Sequence, residues 1–257
     1  MGQVTCDVQG HVATITLDNE AKLNAMQFAM WTGLSEHLQR LAAAGDVRAV
    51  ILRGAGERAF VSGADISEFE SNRNDESAVA RYDVAVADAQ SALSAFPVPV
   101  IAAISGICYG GGLGLALACD LRLASESSRF RMPAARLGLG YATKNMVRMV
   151  EVLGAVRAAE LTYTARVVNA ADALRLELVS ETCADVFERA LAVANEIAAN
   201  APLTVRAAKL AIRAVTTGDA SLVADADAAV DRCFASADYI EGRRAFMEKR
   251  PPSFQNR

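Results

Sequence analysis

Histidine is nearly absent. His11 and His37 are the two imidazoles of the 257-residue chain, and neither has a second candidate ligand close in sequence. That argues against a His-based metal site and against a Ser-His-Asp triad. Cysteine is scarce and unpaired: Cys6, Cys108, Cys119, Cys183 and Cys233 are odd in number and scattered, so they read as reduced small hydrophobes. No concentrated basic charge appears. Lys and Arg number 26 against 30 Asp and Glu, a net charge of −4, which excludes a nucleic-acid groove. The opening "MGQVTCDVQG" has no basic-then-apolar signal, so a cytoplasmic location is expected. With 53% hydrophobic and 22% charged residues, the chain has a globular composition and can bury a large core.

What is present is one long uncharged block, "FPVPVIAAIS" (96–105) running on into "CYGGGLGLALACD" (108–120). Its length would suit a bilayer. Pro97, Pro99 and several glycines interrupt it, however, and basic flanks are missing, so no membrane span is expected. A buried strand, a tight glycine turn and a buried helix fit the same residues. Strands are also predicted at "HVATITL" (11–17), "VRAVILRG" (47–54), the start of "AFVSGADI" (59–66), "LRLAS" (121–125) and "SRFRMP" (128–133). Trp31, Leu34, Leu38 and Leu41 mark one face of a helix. The polar "SNRNDES" (71–77) reads as a solvated loop before a helix ending near Ala95. Helices are predicted over 144–153, 170–176, 186–199, 203–215 and 220–235, and Pro251-Pro252 stops the last helix. The architecture is an α/β layer with a helical extension, a core over 1–200 and a helical region over 201–257, in one continuous unit.

Two places join a strand end, a glycine and a helix start: "SGAD" (62–65) and "YGGG" (109–112). Helix N-termini carry unpaired N–H groups and partial positive charge, and glycine lets an oxygen approach closely. Taken singly, each is an ordinary turn. Brought together, they would make an oxyanion hole. No Lys-Ser/Thr follows the glycines and no dinucleotide spacing is present, so this is no phosphate loop.

Read in order, "AKLNAM" (21–26), "AFVSGADISEF" (59–69), "PVPVIAAISGICYGGGLGLALACDLRLAS" (97–125), "LTYTARVVNAADALRLELVSE" (161–181) and "EGRRAFMEKRPPSF" (241–254) resemble the crotonase superfamily, the enoyl-CoA hydratase/isomerase family. The resemblance covers nearly the whole chain. It implies a spiral of ββα units with a C-terminal helical cap, assembled as a homotrimer or a dimer of trimers, and an acyl-CoA thioester as substrate. Coenzyme A would enter as part of the substrate, with no separate cofactor and no metal. It implies that the N–H groups of Ala64 and Gly111 form the oxyanion hole. Lys22, Leu23 and Ala25 would follow coenzyme A, Asp65 and Ile66 would wall its adenine beside Ala64, and Phe246 and Lys249 would reach it from an adjacent subunit.

The resemblance breaks at two positions. Family hydratases carry one glutamate two residues beyond the glycine triplet and another after the proline that follows the next strand pair. Here those positions hold Gly114 and Ala134. Neither moves a proton, and general acid–base steps contribute about 10²–10⁴ in rate. Tyr141, in "LGLGYAT", falls in the loop that faces substrate, where methylmalonyl-CoA decarboxylase of the same superfamily also carries a tyrosine. Secondary candidates are Glu68, Lys144 and Tyr109, with Glu68 and Lys144 also fitting plain helix positions. Cys108 should stay protonated in its apolar setting. Three readings stand at this stage: an enolate-stabilising enzyme without the paired glutamates, a malonyl-type decarboxylase, and a silent acyl-CoA-binding subunit.

Overall fold

The apolar run Ala49–Gly54 is β3, buried on both faces, and the larger sheet is built outward from it. The computed structural model describes residues 2–68 and 76–256. Strands β1 (Gln3–Gln9) and β2 (Val12–Asp18) form an antiparallel hairpin. Beside it, β3, β5 (Val100–Ile104), β7 (Leu121–Ser125) and β10 (Glu181–Cys183) run parallel, giving the order β1-β2-β3-β5-β7-β10. A smaller sheet has the order β4-β6-β8-β9, from Ala59–Val61, Ile107–Tyr109, Arg129–Arg131 and Val168–Asn169.

The pairs β3/β4, β5/β6 and β7/β8 thus each send one strand to each sheet, and each pair leads into helix. These are α2 (Glu76–Ser94), α3 (Gly111–Ala118), and α4 (Ala134–Leu137) with α5 (Thr143–Thr164). That is the expected spiral of ββα units. α1 (Phe28–Ala44) comes before them and buries Met30, Trp31, Leu34, Leu38 and Leu41. Alternation along β3 divides its side chains between two cores. Val50 and Leu52 face the main core, while Ala49 and Ile51 meet Val186, Ala190 and Ala194 of α7 (Val186–Ala198). Between them, α6 (Ala170–Arg175) connects β9 to β10.

The chain ends in α8 (Pro202–Thr217), α9 (Ala220–Phe234) and α10 (Ala237–Glu248). Lys209 of α8 anchors this cap. Its buried ammonium donates to the Val98 carbonyl at 2.9 Å and to Asp120 Oδ2 at 2.7 Å.

Four strands escape the periodicity reading. β6, β9 and β10 are two or three residues long, too short to show a period, and β1 is a half-exposed edge whose place depends on β2. Two helices differ as well. α5 continues past the predicted 153 to Thr164, with a non-helical break at Gly154. The final helix is a separate element, started by the Ser236 hydroxyl accepting from Tyr239 N at 3.0 Å. It ends at Lys249 in the left-handed region (φ 54°), before the prolines are reached. Of the predicted polar loop, 71–75 lies outside the described residues, and Glu76 and Ser77 already belong to α2. No helix among the described residues is long and apolar enough to cross a membrane.

Candidate active site

The two glycine turns meet. Gly63 has φ 131° and Gly110 φ 52°, backbone that disfavours any residue with a Cβ. A Cβ on Gly110 would stand 3.9 Å from the Gly63 Cα and 3.7 Å from Pro133. The early loop holds the first turn in place, because Met26 N donates to the Gly63 carbonyl at 2.8 Å and Asp65 N to the Met26 carbonyl at 2.9 Å. With Gly63 and Asp65 bonded to that side, the intervening Ala64 N–H points the other way. Gly111 is the first residue of α3, so its N–H has no intrahelical acceptor. Gly112 must pass the Val61 carbonyl so closely that a Cβ would collide with it. Ala64 and Gly111 both line one space, and the positive end of α3 lies at Gly111.

That space is a cavity of about 400 Å³. Trp31, beneath Gly111, forms part of its wall, held by Nε1 donating to the Tyr82 hydroxyl at 3.0 Å. Ala64, Gly111, Ala134 and Tyr141 all line it, so the structure brings the three proposed catalytic positions to one site. Burial pushes the Tyr141 phenol up to about 12, so it is a neutral hydroxyl at ordinary pH. Asp83, exposed at its surface, is the one carboxylate among the described lining residues.

The family model for enoyl-CoA hydratase/isomerase matches residues 7–257. The chain belongs to this family. Among curated relatives, the short-chain-enoyl-CoA hydratase of Clostridium acetobutylicum is 32% identical over 261 residues, covering 100% of this chain and 99% of that one. Among solved structures, an enoyl-CoA hydratase/carnithine racemase from Magnetospirillum magneticum matches with a TM-score of 0.92 at 36% identity, covering 99% of this chain and 96% of that one. The enoyl-CoA hydratase of Bacillus anthracis gives a TM-score of 0.93 at 33% identity, covering 99% of each chain.

In this member of the enoyl-CoA hydratase/isomerase family, Lys22, Leu23 and Ala25 lie on the loop stitched to the first glycine turn, where Ser62 N donates to the Leu23 carbonyl at 3.1 Å. Lys22 Nζ donates to Asp65 Oδ2 at 2.8 Å and to Ser67 Oγ at 2.7 Å, so it is no free surface charge. Burial alone would raise the Asp65 pKa, but hydrogen bonds from Lys22, Ser67 and Gln27 outweigh it and hold the carboxyl at about 2. Ile66 is exposed at the cavity wall. Phe246 lies elsewhere in the chain, in an apolar groove between α8, α9 and α10, and Lys249 caps α10.

Glu68 is not a cavity group. Its carboxylate accepts from Phe28 N at 2.8 Å, at the start of α1. Tyr109 is not among the described lining residues either, the Lys144 side chain lies outside the described residues, and desolvation raises the Cys108 thiol, which stays protonated. Gln90 of α2, which the sequence reading passed over together with Tyr82, Asp83 and Asn145, also lines the cavity. Its only sequence signal is an amide on a helix face shared with Asp83, Val86 and Ala87, and that does not say which space it enters.

Proposed function

We propose that the protein holds the thioester carbonyl of an acyl-CoA between the N–H groups of Ala64 and Gly111 and stabilises the enolate formed there. The observation that carries this is the juxtaposition of the two glycine turns at one cavity. Preorganised backbone donors aimed at a developing oxyanion are worth about 10²–10³ in rate apiece. Lys22, Leu23, Ala25, Asp65 and Ile66 would follow the coenzyme A moiety on the side of the first turn. Phe246 and Lys249 would reach it from a neighbouring copy in a homotrimer or a dimer of trimers, at work in the cytoplasm. Support for the assembly comes from the apolar groove around Phe246, about 930 Å³, with Phe246 and Met247 both strongly exposed in the single chain.

The reaction differs from ordinary water addition, because Gly114 and Ala134 offer no proton-transfer group. A second reading, decarboxylation of a malonyl-type thioester, is favoured by the neutral Tyr141 hydroxyl beside the free amides. In that step the bond from C2 to the carboxylate breaks and its electron pair becomes the enolate. Carbon dioxide leaves, and C2 takes a proton from Tyr141, which water then restores. No base is needed.

A panel of acyl-CoA thioesters followed by mass spectrometry, scoring hydration, isomerisation, decarboxylation and hydrolysis together, tests these readings. Binding without turnover of any thioester would leave a silent acyl-CoA-binding subunit. Failure to bind any of them at millimolar concentration would overturn the proposal.

A further inference from the structure

Gln90 and Gly114 compete for one volume. The Gln90 Nε2 lies 2.6 Å from where a Cβ on Gly114 would stand, and its Cδ 3.4 Å away. The space in which a side chain at position 114 would begin is therefore filled from the opposite helix, by an uncharged amide carried on α2. Among the described residues the Gln90 amide has no hydrogen-bond partner, and neither does the Tyr141 hydroxyl. Both lie on the wall of the cavity that contains Ala64 and Gly111, and Asn145 joins them.

We infer that Gln90 is a specificity-determining residue that binds an oxygen on C3 of the acyl group, so that the site takes β-oxygenated acyl-CoA thioesters rather than plain hydrocarbon ones. The inference rests on Ala64 and Gly111 holding the thioester carbonyl. Position 114 lies three residues along α3 from Gly111, about 4.5 Å on the helix axis. That is the span from a carbonyl oxygen held at Gly111 to a substituent two carbons further along the acyl chain. A carboxamide both donates and accepts, so it serves a hydroxyl, a carbonyl or a carboxylate at that point. A hydrocarbon chain would instead cover the Gln90 amide, the Tyr141 hydroxyl and the Asn145 amide with nothing to pair them. Unpaired buried polar groups are what makes such sites reject analogues that lack the matching oxygen. Asp83 is the one charged group among the described lining residues. It sits at an exposed position, two helical turns before Gln90 on α2.

Two thioesters of equal acyl shape test this: isovaleryl-CoA, with two methyl groups on C3, and malonamyl-CoA, with an amide there and no group to lose. Calorimetry on the full chain should show wild type binding malonamyl-CoA about tenfold or more tighter than isovaleryl-CoA, the worth of one hydrogen bond of ordinary strength. Gln90→Leu should erase that preference by weakening malonamyl-CoA alone, with isovaleryl-CoA held as well as before or better. Gln90→Asn, which keeps the amide but shortens its reach, should fall between. Equal affinity of wild type for the two would overturn the inference without needing a variant, and so would a preference that survives Gln90→Leu. A Gln90→Leu protein that weakens both thioesters alike would reveal a purely structural role and also overturn it. If wild type binds neither thioester, the proposal that Ala64 and Gly111 hold an acyl-CoA fails first, which keeps the two failures distinct.

Discussion

Lys22 and Asp65 tie two separate stretches of the chain together next to Ala64: Lys22 Nζ stands 2.8 Å from Asp65 Oδ2, whose side chain is almost fully buried. The carboxylate also accepts from Gln27 Nε2 at 3.2 Å and, through Oδ1, from the Ser67 amide and hydroxyl. The early loop is thereby locked onto the residue that follows Ala64.

The sign of the resulting pH dependence is fixed. Asp65 titrates at about 2 in the folded chain against 3.8 ordinarily. A lowered folded pKa stabilises above the unfolded value and loses that contribution as pH falls through the folded one. Thermal unfolding of wild type and Asp65→Asn should therefore differ most at neutral pH, with the variant less stable by about 1–3 kcal/mol. The two curves should converge between pH 3.8 and about 2. A gap that is unchanged at low pH would contradict this.

Crotonyl-CoA hydration by the wild type should run far below about 10 s⁻¹, an ordinary enzymatic turnover, since positions 114 and 134 lack carboxylates. Gly114→Glu must push the Gln90 amide aside. The triple variant Gln90→Ala, Gly114→Glu, Ala134→Glu should accordingly gain about 10² in hydration rate and outperform the double variant that retains Gln90. A wild-type rate at the ordinary level would mean that another group supplies the proton.

Tyr141→Phe should lower carbon dioxide release from a malonyl-type thioester by about 10²-fold while changing thioester affinity little. Because burial holds the phenol at about 12, the wild-type rate should show no tyrosine ionisation between pH 6 and 10. A basic limb in that range which vanishes in Tyr141→Phe would refute the assignment of a neutral hydroxyl.

Gly112→Ala should be strongly destabilising. Its Cβ would run into the Val61 backbone, which is held in β4 and cannot swing away, and overpacking of this kind costs about 1–3 kcal/mol. Gly140→Ala, where a Cβ would meet nothing within 4 Å, is the control that should leave the melting temperature nearly unchanged.

Phe246→Asp should break assembly. Sedimentation of the wild type is expected to show a trimer or a multiple of it, and the variant a smaller species, because the change sets a charge into the apolar groove between α8, α9 and α10. A wild-type monomer at micromolar concentration would contradict the proposed assembly.

By itself the sequence determined the family, the ββα spiral and both glycine turns, because these are local or ordered features. A run such as "VRAVILRG" makes a strand buried on both faces wherever it sits, and Gly63 and Gly110 announce themselves by the backbone they permit. That Gly114 and Ala134 stand where the resemblance expects glutamate is likewise a comparison made along the chain, without reference to packing. Tertiary structure decided what required two distant segments to meet. Strands as short as β6, β9 and β10 exist only because neighbouring strands complete their hydrogen bonds, and no period survives in two or three residues. Glu68 became a partner for the start of α1, forty residues earlier, although its spacing resembled an exposed helix position. Gln90 went unnoticed for the same reason. Its amide gains meaning from the absence of a Cβ at Gly114 on another helix, and the volume that two side chains divide is a property of packing, which no one-dimensional pattern records.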